Sequence, residues 1–427
     1  MAAPTPPDLL EALLAGSVAV QVLHNGTLAD GSTCDLRLQD GVVVEVAAPQ
    51  SLSVSDGSLD LTGYVITAAG AEAHAHLDKA LSVGASAPPS NAPEAGYGNL
   101  HHAIEQWRLI SAGADEENYH RRAKAAALEL LSNGVTAVRS HCNLIDGDHP
   151  FVGLRALVRV REELRDVMDI EIAILPAPWS PTADIAGAMD AGADIVGGCP
   201  HLSEDPEAEL DRLVELAHRF GVGIDIHADE QLTPTMLSVR SLAHHVMSKP
   251  IPGTVTAGHC VSLGVLEEPM LAEVVAELAA AGVGVVTLPI TNLYLQGWEH
   301  PVATPRGLTA VRALLDGGVT LAAGGDNIRD PFNPVGRADP LETASLLVVA
   351  GHLTVEESMQ AVTVGGRRVM GLPEAGPTVG LVADLLACKG TSLADVVARG
   401  PGDRVVLHAG RVVSTSVSRT VVAGRSA

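Results

Sequence analysis

Val222-Gly223-Ile224-Asp225-Ile226-His227-Ala228-Asp229-Glu230 reads as a short apolar strand that ends in a histidine, with two carboxylates directly after it. The same form recurs at Thr254-Val255-Thr256-Ala257-Gly258-His259 and at Val319-Thr320-Leu321-Ala322-Ala323-Gly324-Gly325-Asp326. The run Val283-Gly284-Val285-Val286-Thr287-Leu288 is apolar without alternation, as strands buried on both faces are. Working outward, strand candidates end near Ala69, Ser140, Ala177, Gly197, His227, Cys260, Leu288 and Gly325, each followed by a loop and a helical stretch. Repeated βα units of this number predict a parallel sheet closed into a (β/α)8 TIM barrel. No Gly-x-Gly-x-x-Gly loop follows the first strand, which argues against an open doubly wound sheet.

Outside this region the texture changes. Between Ser17 and Leu61, Val-rich runs such as Val42-Val43-Val44-Glu45-Val46 alternate with Gly, Asp and Asn turns, and Asp403 to Val413 reads as two strands around a tight turn. The two ends are therefore expected to form a small β-sandwich from residues 1–63 and 373–427, with the barrel over 64–372. The stretch from Ala80 to Ala114 carries Pro88, Pro89, Pro93, Gly96 and Gly98 just after the first strand. It reads as an active-site loop or lid.

A chain of 427 residues exceeds what one core usually serves. With 51 acidic against 27 basic residues the net charge is −24, and no Lys/Arg run could neutralise a row of phosphates; nucleic acid is not an expected partner. Met1 to Leu14 carries Pro and acidic residues where an export signal would be basic and then apolar. No uncharged apolar stretch is long enough to span a membrane, so a cytoplasmic protein is expected. Cys34, Cys142, Cys199, Cys260 and Cys388 are odd in number and lack any Cys-x-x-Cys pair, which disfavours disulfides and a thiolate metal site.

His74-Ala75-His76 follows the strand candidate Tyr64 to Ala69. Residues two apart in an extended chain face the same side, so both imidazoles can reach one ion. Together with His227, His259 and Asp326 they lie at strand ends, on the face where barrel enzymes collect their chemistry. Among the other polar residues here, Asp78 reads as a cap or supporting acceptor and Arg139 as an ion-pair partner inside the barrel. The pairs His101-His102 and His244-His245 fall in helical stretches and read as solvated or core residues.

These motifs, His-Ala-His-Leu-Asp-Lys (74–79), Val138-Arg139-Ser140-His141, His227-Ala228-Asp229-Glu230, Gly258-His259, Asn292 to Gln296-Gly297 and Gly325-Asp326 onward to Gly336, resemble the amidohydrolase superfamily in its cytosine deaminase-like branch. The resemblance spans nearly the whole chain. It implies that His74, His76, His227 and Asp326 bind one divalent ion, and that His259 holds the attacking water. It further implies that Asp326 takes a proton from that water and that Glu230 carries protons to and from the substrate ring. Lys79, Asn327, His141, Trp179, Gln296 and Phe332 are the expected substrate contacts.

Three neutral imidazoles and a carboxylate suit Zn²⁺ first and Fe²⁺ second. Relatives with two metals use a bridging lysine, but Lys79, Lys124, Lys249 and Lys389 all lie away from the fourth strand candidate; Asp194 and Cys199 are the alternative bridges there. Cytosine deaminases carry a Gln and a second Asp where this chain has Leu175-Pro176-Ala177-Pro178-Trp179 and Asn327, so the pocket's donors and acceptors differ. Lys79 with Asn327 is more similar to the ammelide-type aminohydrolases. The expected function is hydrolytic removal of ammonia or an amine from a small amino-substituted nitrogen heterocycle, in a homo-oligomer. Hydrolysis of a cyclic amide or another ring C–N bond is the enzymatic alternative, and a non-catalytic metal-binding scaffold the alternative from another class.

Overall fold

The structure, a computed structural model, describes residues 3–13, 16–83, 99–145, 147, 149–421 and 423. It divides into two units, one of residues 71–129 and 137–372 and one of residues 1–70, 130–136 and 373–427.

The larger unit is built on eight parallel strands in sequential order: β1 Gly70–Ala75, β2 Val135–Asn143, β3 Asp169–Leu175, β4 Ile195–Gly198, β5 Ile224–Ala228, β6 Val255–His259, β7 Gly284–Thr287 and β8 Leu321–Ala323. A parallel bridge between Ala75 and Asp326 closes the ring, and His76 N donates to Asp326 O at 3.1 Å. The first and last strands thus meet where the expected ligands lie. Small side chains make this closure possible, because Ala71, Ala73, Ala137, Ala322, Val286 and Leu288 form one buried cluster with Val369 and Met370.

Helices cover the strands in the alternation that the sequence shows. Pro206–Phe220 illustrates the local code: Asp205 accepts from Ala208 N at 3.1 Å as N-cap, Pro206 opens the first turn, and Leu210, Leu213, Val214, Leu216 and Ala217 are buried. None of the helices among the described residues is long and apolar enough to cross a membrane.

The smaller unit is one continuous nine-stranded sheet that joins both chain ends; Tyr64–Ala68 pairs antiparallel with Leu385–Lys389. Its strands share a single apolar cluster that includes Leu23, Leu36, Leu59, Ile66, Leu385, Val405 and Leu407.

Two expectations shift. The run Tyr64 to Ala68 belongs to this sheet, and the first barrel strand is the next one, so His74 lies on a strand rather than after it. Gly70-Ala71-Glu72-Ala73-His74-Ala75 lacks the β-branched residues that mark a strand, which is why the pattern conceals it. The boundary between units therefore falls after residue 70, with 130–136 joining the smaller unit. Of the stretch read as a lid, residues 84–98 lie outside the described residues, and the remainder includes a regular helix, Leu100–Ser111, capped by the Asn99 side chain.

Candidate active site

In β1 the period of two puts Glu72 and His74 on one face, and in β5 it does the same for Asp225 and His227. The parallel register sets His227 beside Gly258 of β6. A β-carbon at 258 would lie 2.6 Å from Cε1 of His74, so the glycine leaves the space that this ring fills.

The imidazoles converge. His227 Nε2 lies 3.2 Å from His74 Nε2 and 3.1 Å from His76 Nε2. Asp326 Oδ1 stands 3.3 Å from His76 Nε2 and 3.9 Å from His74 Nε2. Among the described residues no donor reaches either buried oxygen of Asp326, an expensive arrangement unless a cation occupies the space between them and the rings. Ligand bonds of about 2.0–2.1 Å around a tetrahedral ion separate nitrogens by roughly 3.3 Å, close to the spacing seen. Burial holds His74, His76 and His227 well below the ordinary histidine pKa, which keeps them neutral, as metal ligands must be. These four residues fit a single divalent ion.

The carboxylate of Glu72 supports this centre from below. It accepts from Gly325 N at 2.8 Å and from His74 N at 3.3 Å, tying β1 to the turn that carries Asp326. Asp326 (φ 64°) and His259 (φ 67°) both hold left-handed backbone conformations, the local strain that accumulates at functional sites.

Glu230 and His259 stand beside the ligands, with Glu230 Oε1 3.3 Å from His259 Nδ1. Burial pushes the Glu230 carboxyl up to about 8, with Lys79 pulling the other way. Asn292 Nδ2 donates to His259 Nδ1 at 3.0 Å, which leaves the ring proton on Nε2, an atom buried without a partner among the described residues. Burial lowers the His259 pKa to about 3, so this ring is a neutral donor. Gln296 Nε2 donates to Glu230 O at 3.0 Å and steadies its backbone. Asp229 turns away to accept from Ser238 N and Val239 N, the first N–H groups of helix Ser238–Ser248.

A cavity of about 460 Å³ opens above the centre. His76, His227, Glu230, His259 and Asp326 form its floor, and Lys79, Asn327, Trp179 and Phe332 line its walls. Lys79 Nζ lies 2.7 Å from His76 Nδ1 and faces the rings of Phe332 and Trp107 at 5.6 and 5.9 Å. Asp78 does not enter; it accepts from Asn143 N and its own neighbour Lys79 N.

Two expected substrate contacts do not line the cavity. His141 lies two residues short of the end of β2, fully buried with its ring 4.0 Å from that of His74; Asn143 occupies the rim instead. Gln296 is drawn back by its bond to the Glu230 carbonyl. Asp194 accepts from Arg161 and from Ile172 N and so is no metal bridge, whereas Cys199 does reach the cavity wall.

Glu72, Trp107 and the bond from Asn292 carried no expectation from the sequence, and His101, expected to be solvated or in the core, lines the cavity. Glu72 shares a face with His74, but on a strand whose composition conceals it. Trp107 and His101 reach the cavity from helix Leu100–Ser111, and nothing in a helical period says which cavity a helix will cover. His244 and His245 pair with Glu277 and Asp211.

Comparison with known proteins gives consistent relatives. A family model described as the amidohydrolase family matches residues 98–427. A pterin deaminase of Rhizobium rhizogenes (strain K84 / ATCC BAA-868) is 27% identical over 428 residues, covering 97% of this chain and 96% of its own. The 5-methylcytosine deaminase of Klebsiella pneumoniae, solved with 5-fluorocytosine, has a TM-score of 0.85 and 25% identity, covering 94% of this chain and 99% of its own. The N-isopropylammelide isopropylaminohydrolase of Burkholderia multivorans ATCC 17616 has a TM-score of 0.77 and 26% identity over 92% of this chain and 98% of its own.

Proposed function

The chain belongs to the amidohydrolase family, and on that premise we propose that it is a metal-dependent deaminase that hydrolyses the exocyclic amino group from a small nitrogen heterocycle. One observation carries this reading: His76, His227 and Asp326 converge at the floor of a cavity with His74 beneath them, and the next residues are a raised-pKa glutamic acid and a neutral histidine donor.

Zn²⁺ is the ion we assign, and such an ion acts as a Lewis acid that makes water nucleophilic near neutrality. Asp326 has an oxygen free to take a proton from the attacking water. His259 Nε2–H donates to that water's oxygen and orients it. Glu230, a carboxylic acid near neutrality, protonates the ring nitrogen as the tetrahedral adduct forms; the proton taken up by Asp326 goes to the departing amine, and the hydroxyl proton released as the carbonyl forms returns to Glu230. Lys79, whose Nζ stands beside His76 Nδ1, contacts a ring oxygen or nitrogen at the wall.

A cavity of about 460 Å³ falls in the range that encloses drug-sized ligands. A fused two-ring substrate of the pterin kind is therefore our first choice, supported by the pterin deaminase relative. We place the enzyme in the cytoplasm, as a homo-oligomer.

The test is a screen of pterins, pyrimidines, triazines and creatinine-like rings with ammonia detection, on chain loaded with Zn²⁺. Glu230→Gln is expected to lower turnover by about 10²- to 10⁴-fold with metal content unchanged. A ring-opened acid as product would select hydrolysis of a ring C–N bond instead, and metal binding with no turnover on any ring would leave only a scaffold.

A further inference from the structure

Asp330 is fully buried beside the cavity, and each of its oxygens is engaged. Oδ1 accepts from Phe332 N at 2.8 Å and Asn333 N at 3.2 Å, and Oδ2 accepts from Asn327 Nδ2 at 2.8 Å. Burial lifts the Asp330 carboxyl to about 6, so it is mostly ionised at neutral pH. An ionised carboxylate only accepts, and therefore the side of the Asn327 amide that faces it must be the NH₂. The amide is planar, so its oxygen points the other way. Asn327 lines the cavity, and among the described residues no donor pairs with its Oδ1.

We infer that Asp330 is a positioning residue for specificity: it locks the Asn327 amide so that its oxygen, and not its NH₂, stands on the side away from Asp330 as a hydrogen-bond acceptor, and the substrate edge seated against that oxygen must carry an N–H. That N–H belongs either to the amino group to be removed or to a lactam-type ring nitrogen. A ring that turns a bare nitrogen or an oxo group toward this point sets two acceptors face to face and is rejected, because the amide cannot rotate without breaking its bond to Asp330. An asparagine at this position can donate or accept; the anchor three residues on fixes which way round its amide sits.

Reversing the polarity of the anchor tests this. In Asp330→Asn the new amide keeps an oxygen for Phe332 N and Asn333 N and turns an NH₂ toward residue 327, which makes Asn327 flip and show its own NH₂ to the cavity. The double variant Asn327→Asp with Asp330→Asn restores the original pattern, since the carboxylate introduced at position 327 accepts from the amide at position 330 and still shows an oxygen to the substrate. For the best substrate of the heterocycle screen, kcat/KM is expected to fall about 10- to 100-fold in the single variant and to return to within about fivefold of wild type in the double. Thermal midpoints should stay alike.

A single variant within about threefold of wild type, or a double variant no better than the single, overturns the proposal. If the single variant does not fold, the double alone decides, near-wild-type turnover supporting the inference and a folded, inactive protein overturning it. Asn327→Leu, which removes the oxygen at similar volume, is expected to match the single variant; full activity there overturns the inference as well. The inference rests on the deaminase reading. A Zn²⁺-loaded wild type that releases no ammonia from any ring sinks both, whereas wild-type turnover with unaltered variants sinks only this one.

Discussion

At residue 258 any side chain would strike the ring of His74, at 2.6 Å from Cε1 and 2.7 Å from Nδ1. The ring cannot retreat, because His141 packs 4.0 Å away on another side. Gly258→Ala is therefore expected to displace His74 and weaken metal affinity by roughly 10- to 100-fold, the usual cost of disturbing the support of a ligand. Chelator competition measures this, and an affinity equal to wild type would refute the placement of His74. Within this site the ligand types were legible in the sequence, since His227 and Asp326 end apolar strands. Their supports were not. Glu72 meets the N–H of Gly325 across 253 residues of chain, and no local pattern records that meeting.

Among the elements, helix Val355–Gln360 has the most explicit local code. Thr354 Oγ1 accepts from Glu357 N at 3.1 Å, and Glu357 Oε2 accepts from Thr354 N at 2.8 Å, a reciprocal capping box. Thr354→Ala is expected to cost about 1 kcal/mol, read from urea unfolding. Arg312 and then the Thr354 N–H hold the Glu357 carboxyl down to about 2, from an ordinary 4.5. A depressed carboxylate contributes stability that is complete above its unfolded pKa and lost as pH falls through its folded one. The difference in thermal midpoint between wild type and Glu357→Gln should thus be constant above pH 4.5 and shrink toward pH 2. A difference that widens over that window would show the sign to be wrong. Helix Leu100–Ser111 is the opposite case: Trp107 and Ala103 mark its buried side, yet only the structure shows that this side closes over the cavity.

Across the barrel, one buried cation links four strands. Arg139 of β2 pairs with Glu171 of β3 at 2.6 Å and Asp225 of β5 at 2.7 Å, and its Nη1 donates to Thr256 of β6 at 2.7 Å. Its side chain is wholly inaccessible. Removing one member of such a network leaves an uncompensated buried charge, so Arg139→Met is expected to cost roughly 3–5 kcal/mol. Adding Asp225→Leu should recover part of that loss, because the stranded carboxylate goes with it. Equilibrium unfolding of the two variants checks both statements, and a double variant less stable than the single would contradict them. The proposed metal centre would also be a barrel-wide link, since its ligands would come from β1, the residue after it, β5 and the turn after β8. On that proposal, stripping the divalent ion should lower the thermal midpoint in a way that readdition reverses.

What the chain determined by itself was the alternation of strand and helix and the identity of the strand-end histidines and aspartate, because periodicity and strand termini are local properties of a few consecutive residues. What only the tertiary structure decided was which polar groups meet. Register set Asn143 rather than His141 at the rim, ring closure brought Glu72 under Asp326, and a tight turn aimed Asp330 at Asn327. Those contacts join residues through space, where hydrogen bonds and burial act without regard to distance along the sequence.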